Sequence, residues 1–204
     1  ECLMKTIQEA IPHFAKGLPS LGINETDPLY KNLIEWDLPG KIKVKMTDAV
    51  MTGVKNCVID SVMFKELDIY LNMTCKLLLE AKYKATGQIL FFTLNGDGVA
   101  KIRTSVTLNF TSKFEDITHN GVIYREIKSY KVAYNNTEKV DFIITNLFKG
   151  NPEVSQAILK FMNDNWQIMI KEFGKPLIET QINILFETVK KFFSSIPRDE
   201  LFIL

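Results

Sequence analysis

Nowhere does the chain carry the ~20 consecutive apolar residues that a membrane-spanning helix needs. Its densest apolar run, Ile89-Leu90-Phe91-Phe92, is far too short. A surplus of one charge is also missing: 25 Lys plus Arg face 24 Asp plus Glu, a net +1. Nucleic-acid binders and proteins held on anionic lipid need a basic face, so neither partner is expected, nor stable membrane insertion. Histidine is scarce, with only His13 and His119. No His-x-x-x-His or Cys-x-x-Cys spacing occurs, which leaves no familiar zinc ligand set. The serine-hydrolase elbow G-x-S-x-G, the phosphate loop and G-x-G-x-x-G are all absent. No metal, cofactor or catalytic residue is therefore assigned.

What is present begins with three cysteines, an odd count. Cys2 stands beside the first residue, and its partner is expected upstream of Glu1. With no initiator Met, the chain is taken as a form from which a targeting leader has been trimmed. A tight turn near Lys65-Glu66 would place Cys57 and Cys75 roughly opposite each other on adjacent antiparallel strands. They pair, or they are two buried free thiols that pack like small hydrophobes. N-x-[ST] sequons at Asn24, Asn72, Asn109 and Asn135 point to a secreted, extracellular glycoprotein.

Periodicity divides the chain into three parts. From Cys2 to Lys16, Leu3, Met4, Ile7, Ala10, Ile11 and Phe14 recur at helical spacing. Gly17 stops that short helix, and Pro12 implies a kink or an early end. An irregular connection punctuated by Pro19 and Pro28 follows. From Lys41 to Phe148 the pattern is antiparallel β. The clearest strand, Leu67 to Tyr83, alternates apolar odd positions with mostly polar even ones, so one face is buried and one wet. It is roughly three times the usual length. A second long strand runs from Ala100 to Phe110. Asn72 and Asn109 both fall on wet faces. Turns are expected at Asn95-Gly96-Asp97-Gly98, Asn120-Gly121 and Asn135-Asn136. Long twisted strands in a meander coil around something.

After Phe148 the period becomes helical. Asn151 suits an N-cap and Pro152 the first helical position. The pattern runs to Ser194 with a break near Asn163, a bend at Pro176 and loosening at Gly174. A helix of about 30 residues is ~45 Å long, and its broad apolar girth argues that it is covered. The expected fold class is α+β: a long, strongly curved antiparallel β-sheet wrapped around a long C-terminal α-helix, with a short N-terminal helix, as one domain over residues 1–204.

The segment from Leu147 to Glu179, LFKGNPEVSQAILKFMNDNWQIMIKEFGKPLIE, resembles the C-terminal signature of the insect takeout and juvenile-hormone-binding protein family. Glu1-Cys2-Leu3-Met4, Pro12, KGLPSLGI from Lys16 to Ile23, Asp27-Pro28-Leu29, Gly53-Val54-Lys55-Asn56 and Ala81 to Gly87 agree with it, so the resemblance covers essentially the whole chain. It implies a sheet rolled around one helix, enclosing a tunnel for a hydrophobic ligand, in the manner of the wider tubular lipid-binding (TULIP-like) proteins. It also implies secretion, and an N-terminal disulfide for which this chain shows only Cys2.

The function expected is therefore that of a non-enzymatic carrier, a monomer that transports an elongated terpenoid, juvenile-hormone-like or fatty molecule. Expected cavity-lining residues are Val44, Met46, Leu71, Met73, Leu77, Leu79, Phe91, Ile102, Val106, Leu108, Phe110, Phe142, Trp166, Met169, Phe173, Ile182, Phe186 and Val189. Met and Phe suit a site that adapts to a flexible chain. Two other readings stand beside it. One is a protein-interaction or signalling module of the same fold with a filled interior. The other is a lipid-ester hydrolase drawing on His13 or His119.

Overall fold

The computed structural model describes residues 2–39, 41–89 and 92–201. Helix α1 (Cys2–Ala15) leads through a 3-10 turn (Pro19–Leu21) into strand β1 (Leu29–Leu38). Then come β2 (Ile42–Thr52), a 3-10 turn (Val54–Asn56), β3 (Val58–Lys65), β4 (Asp68–Ile89), β5 (Phe92–His119), β6 (Val122–Asn136) and β7 (Asp141–Ile144). The C-terminal part is α2 (Pro152–Asp164), α3 (Trp166–Met169), a π-helical turn (Ile170–Gly174), α4 (Lys175–Ser195) and α5 (Arg198–Leu201).

All seven strands join one open antiparallel sheet in the order β1-β2-β4-β5-β6. The short β3 pairs with β4 and β7 with β5. Its spine is the β4–β5 ribbon, in which all 22 residues of β4 pair with β5, from Asp68↔Lys113 to Ile89↔Phe92. Each spine strand changes its outer partner along its length. β4 pairs β3 up to Thr74 and β2 from Leu78 onward; β5 pairs β7 at Ala100–Arg103 and β6 from Val106. Strands this long cannot stay flat, because right-handed twist accumulates with every residue. Against the sheet lie α1 on β3, α2 on β7 and α4 on β6.

Several local features follow from side-chain chemistry. Asn151 caps α2, its Oδ1 accepting from the Val154 N–H, with Pro152 at the first position. Asn120 and Gly121, both at positive φ, make the two-residue turn between β5 and β6. Glu66, also at positive φ, makes the β3–β4 turn. The register Val58↔Thr74 then sets Cys57 beside Cys75, and the two form a disulfide. Cys2 is a free, exposed thiol.

Four expectations need correction. Asn95-Gly96-Asp97-Gly98 is no turn: it lies inside β5, paired to Tyr83–Thr86 of β4. Its glycines serve close packing, since a Cβ at Gly98 would sit 2.4 Å from the Thr145 carbonyl and one at Gly96 2.9 Å from the Tyr83 ring. The connection after Pro28 is the regular strand β1, whose start the proline punctuation disguised. Asn135-Asn136 still belongs to β6. Finally, the helix breaks at Asn165, while Asn163 bonds the Phe142 backbone in both directions, Phe142 N–H to Oδ1 (2.9 Å) and Nδ2 to the carbonyl (2.8 Å). Pro12 does not end α1.

Candidate functional site

Inward-facing side chains ought to be fully buried if sheet and helices fill one another. Many here are not. Leu71, Met73, Leu77 and Ile102 point inward from the middle of the spine, and Ile178, Ile182, Leu185 and Val189 from α4, yet all are only half-buried. The reason is a cavity of about 1070 Å³ running beside them. Its wall takes residues of β4 from Ile69 to Gln88, roughly 60 Å of strand contour at about 3.3 Å per residue. That volume lies at the top of the roughly 300–1,000 Å³ range of small-molecule sites.

The wall is overwhelmingly apolar. Among the described residues no Asp, Glu, Lys, Arg or His lines it. Its hydroxyl and amide side chains are Thr26, Tyr83, Gln88, Thr104, Ser112, Asn136 and Gln181. Asn136 donates from Nδ2 to the Thr104 hydroxyl at 2.7 Å, so that pair satisfies itself. The Tyr83 hydroxyl donates to the Thr145 carbonyl at 2.8 Å. Burial, assisted by the nearby Asp97 carboxylate, pushes its pKa up to about 12, so it stays neutral at any physiological pH.

Sixteen of the residues expected to line a cavity do so: Val44, Met46, Leu71, Met73, Leu77, Leu79, Ile102, Val106, Leu108, Phe110, Phe142, Met169, Phe173, Ile182, Phe186 and Val189. Phe91 lies outside the described residues. Trp166 is half-buried but off the wall, because it is the first residue of α3, at the corner left by the break at Asn165. Reasoning from strand alternation missed the contribution of α1 (Ile7, Ile11, Phe14), of β1 (Trp36, Leu38) and of α2 (Ile158, Phe161, Met162). The helical spacing in α1 and α2 held that signal; the strand β1 hid it behind Pro28.

Two clamps hold the wall in place. The Asp27 carboxylate accepts from the Gly53 and Lys55 N–H groups (3.1 and 2.8 Å), fixing the turn that precedes Cys57. Gln8 of α1 donates to the Cys57 carbonyl (2.9 Å) and accepts from the Ile59 N–H (2.8 Å). A second hollow of about 700 Å³ lies outside, between the Gly22–Lys31 segment and α4. It shares Thr26, Leu29 and Ile184 with the main cavity.

Neither histidine touches the cavity wall. His119 faces Glu126 at 3.5 Å at the β5–β6 tip, and His13 is exposed near the end of α1. Of the sequon asparagines, Asn24, Asn109 and Asn135 are exposed. Asn72 is half-buried, directly opposite Asn109, and its Nδ2 donates to Ser61 Oγ at 3.0 Å. No helix among the described residues is long and apolar enough to cross a membrane.

Residues 1–203 match the family model for haemolymph juvenile hormone binding protein (JHBP). The chain is 25% identical over 220 residues to the circadian clock-controlled protein daywake of Drosophila melanogaster, covering 98% of this chain and 83% of that one. It is 24% identical to the daywake protein of Drosophila yakuba, with the same coverage. The crystal structure of Epiphyas postvittana Takeout 1 superposes with a TM-score of 0.89 at 30% identity, over 98% of this chain and 94% of that one.

Proposed function

We infer that this chain, which belongs to the haemolymph juvenile hormone binding protein family, is a secreted carrier that holds an elongated apolar molecule in its central cavity. That family binds hydrophobic ligands such as juvenile hormone. The finer reading made here concerns this chain: a terpenoid, juvenile-hormone-like or fatty molecule, taken up without chemical change by a single monomeric domain over residues 1–204. The observation that carries it is the uncharged cavity of about 1070 Å³ between sheet and helices. Filling it would release water from apolar surface at roughly 25 cal/mol per Å² before ordering costs. The sixteen wall residues named above, from Val44 to Val189, are proposed as the ligand contacts.

Secretion is supported by the Cys57–Cys75 disulfide, which suits an oxidising compartment, and by the exposed sequons. Asn24, Asn109 and Asn135 are proposed glycosylation sites; Asn72 is proposed as a poorer one, because the nitrogen that would carry the sugar is engaged with Ser61. Cys2 is proposed to pair with a cysteine upstream of Glu1. No catalytic role is proposed, since a bound chain would have neither histidine beside it. Mass spectrometry of organic extracts from the protein purified out of its native tissue tests the reading. A stoichiometric apolar compound is expected; recovery of none, with no uptake of an apolar fluorophore either, would remove the carrier.

A further inference from the structure

Two buried polar atoms of the cavity wall find no hydrogen-bond partner among the described residues, Thr26 Oγ1 at the edge shared with the outer hollow and the Gln181 carbonyl on α4, and the carrier reading leaves the second unexplained. Gln181 sits on the inward face of α4, between Ile178, Ile182 and Leu185, all wall residues. Its carbonyl Oε1 is shut off from solvent and finds no hydrogen-bond partner among the described residues. Buried acceptors are paired in the great majority of folded proteins, because an unpaired one forfeits its hydration. Around it the wall supplies no charge, and Tyr83, its one titratable side chain among the described residues, is already donating to Thr145.

We propose that Gln181 is the polar register point of the cavity, and that the natural ligand is a neutral, long-chain or isoprenoid alcohol whose hydroxyl donates to the Gln181 carbonyl. Two physical arguments converge on that class. An ionised fatty acid would bring a carboxylate into a wall with no cation to pair it, at a cost of several kcal/mol. A pure hydrocarbon, ester or ether fits the apolar wall but offers Oε1 no donor. A hydroxyl is small and uncharged, and it supplies the missing proton. The terminal torsion of a glutamine is broad and easily turned, so the amide can swing toward a hydroxyl that slides past without disturbing α4. The helix then acts as a ruler, fixing how far the chain is threaded. This inference rests on the carrier reading and narrows it.

Competition against a bound apolar fluorophore such as N-phenylnaphthylamine tests it, with three competitors of equal chain length: hexadecanol, its methyl ether and palmitate, at a pH where palmitate is ionised. In the wild-type protein hexadecanol should compete about tenfold better than the ether, the scale of one net hydrogen bond, and palmitate should be weakest. In Gln181→Leu, and equally in the more flexible Gln181→Met, the alcohol should fall to the level of the ether. The ether's own competition should move less than about twofold. Equal competition by alcohol and ether in the wild type would overturn the assignment. So would an alcohol preference that survives both variants, as would palmitate binding as well as hexadecanol. If the fluorophore itself never binds, the carrier reading falls and takes this inference with it; if it binds and the three competitors rank equally, only this inference falls.

Discussion

The two ends of the spine are held by different means. At the end where β4 meets β3 and β5 meets β6, the structure is cross-linked and aromatic. Cys57 and Cys75 are bonded. Tyr130 stacks on Phe186 with ring centroids 3.6 Å apart, and Phe114 meets Phe193 at 4.9 Å. Asp116 of β5 accepts from Arg125 (2.9 Å) and from Arg198 of α5 (3.2 Å), tying the C-terminal turn to the sheet. At the other end, where β4 meets β2 and β5 meets β7, four alanines (Ala49, Ala81, Ala85 and Ala100) pack among Met46, Leu79, Leu94, Leu147, Tyr83 and Phe148. No disulfide among the described residues holds that end. Close backbone approach does, with α2 covering it through Val154, Ile158 and Met162. A staple fixes the spacing of the two segments it joins, whereas close packing sets spacing through the size of the side chains that meet. One cavity nevertheless runs past both.

The comparison breaks most visibly if each end is plugged separately. Met73 at the cross-linked end and Val44 at the other are both half-buried beside open space, so a larger ring enters the cavity before it strains the core. Met73→Trp and Val44→Trp should each reduce uptake of a long-chain fluorescent lipid at least tenfold, with Val44→Trp sparing a short-chain analogue. Uptake surviving both would place the ligand elsewhere.

Removing the staple comes next in size. With a sequence separation of 18 between the cysteines, Cys57→Ser with Cys75→Ser should lower unfolding stability by about 3 kcal/mol, read from the urea midpoint. An unchanged midpoint would mean that the aromatic contacts alone hold this end.

Gly98→Ala probes the opposite end. Its Cβ would meet the Thr145 carbonyl at 2.4 Å, so β7 must shift. A loss of about 1–3 kcal/mol is expected, with faster amide exchange in β7 than in β3. Equal exchange at both strands would erase the proposed distinction.

The smallest effect is electrostatic. Hydrogen bonds from Arg125, then Arg198, hold the Asp116 carboxyl below its ordinary value of 3.8. A folded-state pKa below the unfolded one contributes stability that is present above about pH 4 and lost as pH falls through the depressed value. Screening keeps such partly exposed pairs to no more than about 1 kcal/mol. Asp116→Asn should therefore flatten the acid limb of the stability curve slightly. A curve that superposes on the wild type would show that the α5 tie contributes nothing.

Much of this was legible from residues because the responsible forces are local. Alternation along Ile69, Leu71, Met73, Cys75, Leu77 and Leu79 marks an inner face whatever the strand packs against. Asn151-Pro152 announces a helix start and Asn120-Gly121 a turn, since each satisfies its own backbone. The glycines of Asn95–Gly98 misled for the converse reason: their demand comes from Tyr83 and Thr145, 13 and 47 residues away from Gly96 and Gly98, and local chemistry is silent about it. Trp166 failed likewise, because apolar character does not say on which side of a helix break a ring will fall.

By itself, then, the order of side chains determined which faces are oily, where helices begin, and which cysteines can meet. Only the tertiary arrangement decided that the oily faces stand apart. Their separation depends on contacts between distant segments, Asp27 with the Gly53–Lys55 backbone, Gln8 with Cys57 and Ile59, and Arg198 with Asp116. An inward leucine is written the same way whether it meets another leucine or a void.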